Sequence, residues 1–130
     1  MYAVIGGSGL SKLPGFQMER RQVFRTPYGE PSGALMFGRL ADEEVVFLAR
    51  HGYGHTIAPH QINYRANMSA LSQITDLDGI LSVASVGGIR PDLLPGQLLI
   101  PDQILDYTWG RPSTYFEGAG QVEHIDFTWP

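Results

Sequence analysis

Cysteine is absent from all 130 residues, which excludes a disulfide framework, a thiolate zinc site and a cysteine nucleophile, and leaves the redox compartment unmarked. Charge is scarce as well: Asp, Glu, Lys and Arg make up 17% of the chain, against roughly 25% in ordinary soluble domains. A surface so lightly charged favours association with a partner. The nine cations, Lys12 and eight arginines, are scattered through a chain of net charge −4. That pattern argues against nucleic acid or an anionic membrane surface as the main partner. No 18 apolar residues run together and the first cation is Lys12, so neither a membrane span nor the basic head of a signal peptide is read here, and cytoplasm is the expected compartment.

Glycine and proline are abundant instead, with 16 and 9 residues, above the usual roughly 7% and 5%. The length suits one domain. Apolar runs bounded by Gly and Pro predict short buried strands at Tyr2–Ile5, Ala34–Phe37, Val45–Ala49, Gly79–Ala84 and Gln97–Ile100. The polar Ala41-Asp42-Glu43 suits an antiparallel hairpin between the second and third of these, while the stretch from Pro27 to Gly33 reads as an irregular connection. From Gln61 to Thr75, Ile62, Ala66, Ala70 and Ile74 recur every four positions, flanked by Met68 and Leu71, which predicts a helix. Strand, helix and strand from Val45 to Ala84 then form a right-handed βαβ unit in a mixed α/β sheet flanked by helices, with ligands at the carboxyl ends of its strands. No repeat, low-complexity tract or linker stands out, and the end at Pro130 follows no closing helix, so the domain reads as cut rather than finished.

Three predicted strands run into donor-rich loops. Gly6-Gly7-Ser8-Gly9 follows the first; positive-φ glycines there would turn successive N–H groups into an anion nest, with Ser8 adding a hydroxyl. No Gly-Lys-Ser/Thr follows and Lys12 stands at the third glycine of a dinucleotide fingerprint, so a mononucleotide-sized anion fits better than a P-loop or dinucleotide ligand. Arg50-His51-Gly52-Tyr53-Gly54-His55 follows another strand and offers the planar fork of Arg50 to two phosphate oxygens, its alternative being a surface ion pair. Ala84-Ser85-Val86-Gly87-Gly88-Ile89-Arg90 follows the strand at Gly79–Ala84 with further backbone and hydroxyl donors. Each loop alone also reads as a plain turn; together they read as an oxyanion site. His51, His55 and His60 admit a metal-hydrolase reading, but two glycines inside the His51–His55 spacing oppose a helix that would align the pair, and no H-E-x-x-H occurs.

At these residues the chain resembles the purine nucleoside phosphorylase superfamily, in its branch of 5′-methylthioadenosine and S-methyl-5′-thioinosine phosphorylases. The matching stretches are Ile5-Gly6-Gly7-Ser8-Gly9-Leu10, Thr26-Pro27-Tyr28-Gly29-x-Pro31-Ser32, Leu48-Ala49-Arg50-His51-Gly52, His55-x3-Pro59-x3-Asn63-Tyr64-Arg65-Ala66-Asn67, Gly87-Gly88-Ile89 and Asp106-Tyr107-Thr108. Glu123-His124-Ile125-Asp126-Phe127, with Gly110-Arg111 before Thr114-Tyr115-Phe116, looks most like the bacterial methylthioinosine enzymes.

The resemblance implies phosphate contacts from Ser8, Arg50, His51 and the pair Ala84-Ser85, with His55 and His124 at the substrate pocket. Many relatives carry Thr-Ala or Asn-Ala where this chain has Ala84-Ser85, so the hydroxyl stands one residue later. His124 corresponds to a residue that reaches a neighbouring subunit's 5′-substituent pocket, which implies a homotrimer with shared sites. The implied chemistry is cleavage of an N-glycosidic bond with inorganic phosphate as co-substrate and no metal or other cofactor, phosphate being held below C1′ while the ribose gains oxocarbenium character.

Members of the family are nearly twice as long, and their purine-facing Asp or Asn and a Met-Thr at the ribose come from a second half. Asp102, Asp106 and Asp126 are acids of the right type but read more simply as turn or strand-end residues. The chain is therefore expected to hold the N-terminal, phosphate-binding half of one truncated domain and not to turn over alone. Without the rest, Val45, Phe47, Leu48, Ile80 and Leu81 are expected to form uncovered apolar patches that promote association. The competing classes are a non-catalytic half-domain that binds phosphate or nucleoside, and the metal-dependent hydrolase.

Overall fold

The computed structural model describes every residue except Ser11, Ala119, Gln121 and Pro130, so the expected break at Pro130 lies outside the described residues. The chain divides into two compact units, Met1–Ser85 and Val86–Pro130.

The first unit is a mixed sheet of five strands in the order β2-β3-β4-β1-β5. These are β1 (Tyr2–Gly6), β2 (Phe16–Gln22), β3 (Leu35–Leu40), β4 (Glu43–Ala49) and β5 (Gly79–Ser82), with a 3-10 turn at Pro59–Gln61 and helix α1 at Tyr64–Leu71 between the last two. β1 lies between β4 and β5 and is parallel to both; β3 is antiparallel to β4 and to β2. The expected hairpin forms: Leu40 pairs with Glu43, and Ala41 takes φ 52° in the two-residue connection, a backbone state more often left to Gly, Asn or Asp.

Continuous apolar runs make β1, β3 and β4 central because both faces of the sheet are covered. On one face Ala3, Ile5, Leu35, Phe37, Val46 and Leu48 pack with Ala70 and Leu71 of α1. On the other, Val4, Met36, Val45, Phe47 and Ala49 are covered by Leu10, Leu13 and Phe16. The expectation that Val45, Phe47 and Leu48 stand uncovered is therefore corrected: all three are buried, Leu48 on the face that α1 covers and Val45 and Phe47 beneath Leu10, Leu13 and Phe16. Ile80 and Leu81, by contrast, are 39% and 60% exposed on the edge strand β5.

The helix is shorter than its apolar stripe. Asn63 caps it, its Oδ1 accepting from Ala66 N–H at 3.0 Å, while Pro59–Gln61 forms a separate turn that Ile62 ends in extended conformation. Past Leu71 the backbone tightens to three-residue bonds, Gln73 to Ala70 and Ile74 to Leu71, the usual way a last turn satisfies its carbonyls. Two further expectations change. Phe16–Gln22 forms a strand although five of its seven residues are polar and all but Phe16 are exposed, because it is an edge strand supported by β3 alone. Gln97–Ile100 forms no strand; Leu98 and Ile100 are exposed, and apolarity without a neighbouring ladder does not make one.

In the second unit the described residues contain no helix or strand. Its order is local: Asp106 and Asp126 each accept from the hydroxyl and the backbone N–H of the threonine two residues on, Thr108 and Thr128. Both acids sit in side-chain turns, and Trp109 and Trp129 after them are exposed. Among the described residues no helix is long and apolar enough to cross a membrane.

Candidate functional site

Parallel pairing brings three strand ends to one edge. Gly6 is level with Ala49 and Ile5 with Ser82, so the loops after β1, β4 and β5 leave the sheet side by side. Arg50 stitches them together. Its backbone N–H donates to the Gly6 carbonyl at 3.1 Å, and Val83 N–H donates to Ile5 at 2.9 Å. The Arg50 side chain then crosses the end of β1, and Nη1 donates to the Val83 carbonyl at 3.2 Å. These contacts anchor the arginine at its backbone and at one guanidinium nitrogen, while the fork carries five N–H donors in all.

The glycines after β1 serve this crossing in a way the sequence did not lead one to expect. Gly6, Gly7 and Gly9 are not among the positive-φ residues, so the expected left-handed nest is not formed. Their common property is close approach: a Cβ on Gly7 would meet Arg50 Nη2, with Cζ at 2.8 Å and the Val83 carbonyl at 3.0 Å, and a Cβ on Gly9 would lie 2.7 Å from Ser85 Oγ. Gly6 would strike the Leu10 carbonyl and, at 2.8 Å, the Phe47 ring. The loop is glycine-rich because an arginine, a serine hydroxyl and a core aromatic press against its backbone. Between Gly7 and Gly9, Ser8 is exposed in a turn closed by Leu10 N–H to the Gly7 carbonyl at 3.0 Å.

His51 is buried, and its Nδ1 lies 2.9 Å from the Ile57 carbonyl. A carbonyl only accepts, so Nδ1 carries the proton and Nε2, which Arg50 Nε approaches at 3.5 Å, is the acceptor. Ile57 N–H returns a bond to the His51 carbonyl at 2.9 Å. His55, at φ 59°, sets its exposed ring 4.5 Å from that of His51. His60 is exposed in the 3-10 turn, and among the described residues no group of three His, Asp or Glu side chains is placed to hold a metal ion.

Ser8, Arg50, His51, Ser85 and, beside Ser85, Ala84 thus share one sheet edge, with His55 against His51. His124 is an exposed residue of the second unit. Sequence reasoning missed the carbonyls of Val83 and Ile57, which orient Arg50 and His51 and which no side-chain pattern reveals. It also left Ser32 and Asn67 without a role. Two polar residues bordering the apolar stripe of α1, Asn63 and Asn67, were the available signal.

The Phosphorylase superfamily profile matches residues 1–130. A probable S-methyl-5′-thioinosine phosphorylase of Pseudomonas syringae pv. tomato is 47% identical over 131 residues, covering 100% of this chain and 53% of that protein. A 6-oxopurine nucleoside phosphorylase of Pyrococcus furiosus is 43% identical over 134 residues, covering 98% and 49%. Among solved structures, methylthioadenosine phosphorylase from Schistosoma mansoni in complex with adenine superposes with a TM-score of 0.82 at 37% identity, over 91% of this chain and 42% of that one. The chain spans about half the length of the curated relatives it matches. With the profile matched from end to end and the sheet shared with a solved relative, the chain belongs to the phosphorylase superfamily.

Proposed function

We propose that this chain supplies the phosphate side of an enzyme that splits a 5′-methylthio-purine nucleoside, S-methyl-5′-thioinosine foremost, into purine base and 5-methylthioribose 1-phosphate. One observation carries the reading: Arg50 crosses the bare backbone of Gly7 to Val83 while Ser85 Oγ closes on Gly9, gathering cationic and hydroxyl donors at the carboxyl ends of parallel strands. In this reading Ser8, Arg50, His51 and Ser85, with the backbone at Ala84, hold inorganic phosphate. A phosphate oxygen forms the new bond to C1′ as the C1′–N bond breaks, and the bonding pair leaves with the purine, which takes up a proton. Fixed donors stabilise the charge that develops, with no metal or other cofactor required. His55 and His124 belong to the nucleoside pocket, His124 reaching a neighbouring subunit's pocket in a cytoplasmic homotrimer.

The names of the relatives support neighbouring substrates as the second reading: 5′-methylthioadenosine or a 6-oxopurine nucleoside. The base-facing acid is assigned to the half of the relatives' length that this chain does not span, so the chain alone is expected not to turn over. The test is release of hypoxanthine from methylthioinosine, and of adenine from methylthioadenosine, with and without phosphate. It is run on the chain alone and with the second half of a relative supplied in trans. Phosphate-dependent release in the combined sample is the expected result. Release without phosphate overturns phosphorolysis in favour of a hydrolase, phosphate binding without turnover in the combined sample leaves a non-catalytic binding half, and full-rate turnover by the chain alone overturns the half-site reading.

A further inference from the structure

Three polar side chains are buried among the described residues: Ser32 at 8% exposure, His51 at 6% and Asn67 at 3%. Burying a polar group costs free energy unless it is bonded, so buried polar residues mark places where geometry is held. Here a chain of contacts links all three. Asn67 Oδ1 accepts from the backbone N–H of Ser32 at 2.7 Å, and Asn67 Nδ2 donates to Ser32 Oγ at 2.9 Å. The amide thus grips both the backbone and the side chain of Ser32.

The Ser32 carbonyl faces Gly52. A Cβ on Gly52, whose φ is +76°, would lie 3.4 Å from that carbonyl and 3.1 Å from Ile57 Cδ1. Ser32 and Ile57 therefore both press on the place where a Gly52 side chain would stand, directly after His51. Ile57 is the residue whose carbonyl takes the His51 Nδ1 proton bond. A second grip keeps the same loop on the helix: Asn63 Nδ2 donates to the Tyr28 carbonyl at 2.7 Å while its Oδ1 caps α1.

We infer that Asn67, acting through Ser32, is a positioning residue for the Arg50-His51-Gly52 turn, fixing the wall that Ser32 and Ile57 together present to Gly52 so that His51 keeps Nδ1–H toward the Ile57 carbonyl and Nε2 toward Arg50. The part of this inference that concerns phosphate rests on the functional reading above. The part that concerns the His51 tautomer does not.

The experiment follows the ring nitrogens of His51 by 15N NMR in the full chain, with inorganic phosphate titrated as the probe. Asn67→Leu removes both bonds to Ser32 at similar volume; Ser32→Ala removes the hydroxyl and keeps the backbone bond. Ala70→Gly, on the same helix and fully buried, lowers stability without touching the chain of contacts. Asn67→Leu is expected to lose the single-tautomer signature of His51 and to weaken phosphate binding about tenfold, and Ser32→Ala about two- to threefold, as fits one or two lost hydrogen bonds. Ala70→Gly is expected to lower Tm and leave both readouts in place. Wild-type tautomer and affinity in Asn67→Leu, or equal losses in Ala70→Gly, overturn the inference. Should Asn67→Leu fail to fold, the His51 signature in Ser32→Ala decides it. If the wild-type chain binds no phosphate while His51 still follows Asn67, the phosphate reading falls and the positioning role stands.

Discussion

The guanidinium of Arg50 occupies the space that any side chain at Gly7 would need. The two residues follow different strands, β4 and β1, and the arginine passes over the glycine to reach the Val83 carbonyl beyond β5. The cation at this end of the sheet is thus held against the backbone of a loop that contributes no charge, and its direction depends on an absent methyl group.

Gly7→Ala is expected to push Arg50 off Val83, since the new Cβ would crowd both the guanidinium and the Val83 carbonyl, and the carbonyl is backbone and cannot yield. Overpacking of this kind costs about 1–3 kcal/mol, and phosphate affinity should fall at least about tenfold, or ~1.4 kcal/mol. Gly87→Ala, where no atom lies within 4 Å of the new Cβ, should stay within about 0.5 kcal/mol of wild type. Urea unfolding and phosphate titration of the two variants provide the comparison.

Ser85 is exposed, and its hydroxyl stands over Gly9. Ser85→Ala should leave thermal stability within about 0.5 kcal/mol and weaken phosphate binding by about 0.5–1.5 kcal/mol, the net worth of one hydrogen bond. Unchanged affinity by calorimetry would remove Ser85 from the site and leave that edge to backbone donors.

Phe47 is 1% exposed and packs with Phe16, the ring centroids 6.3 Å apart. Phe47→Ala should cost about 3–5 kcal/mol, whereas Leu81→Ala on the exposed edge strand should cost under about 1 kcal/mol. Chemical denaturation of both variants tests whether the segment after β1 covers the sheet in solution as described.

Asp106 is held below the ordinary aspartate value of 3.8 first by the Thr108 hydroxyl and then by the Thr108 backbone N–H, and Asp126 is lowered in the same order by Thr128. Bonds to the charged form lower a carboxyl pKa. The turns are therefore favoured above the ordinary value, and that contribution is lost as pH falls through the lower folded values. Carbon-13 titration of the two carboxyls should show both midpoints below 3.8. Thr108→Val should move Asp106 upward and leave Asp126 in place.

Much of the sheet was legible because β1, β3 and β4 are buried on both faces, and double burial writes itself as a continuous apolar run. Edges carry no such mark. Phe16–Gln22 pairs through backbone bonds and lays the Arg20 guanidinium 3.6 Å from the Phe37 ring centre, so its polar sequence concealed a strand, while apolar Gln97–Ile100 has no ladder to join. The helix stripe was readable, but its ends depended on Asn63 and on the tightening after Leu71, which are local hydrogen-bond choices.

Residue identity alone brings three glycine-bearing loops to the predicted strand ends, with Arg50, Ser8, Ser85 and the pair His51 and His55, in an order that marks the family. How they meet is a property of the fold. Parallel pairing put the loops after β1, β4 and β5 on one edge, close approach rather than positive φ explained Gly6, Gly7 and Gly9, and the carbonyls of Val83 and Ile57 oriented Arg50 and His51. Those carbonyls belong to every residue alike, so their roles come from where the fold brings them and leave no trace in the identity of the side chain.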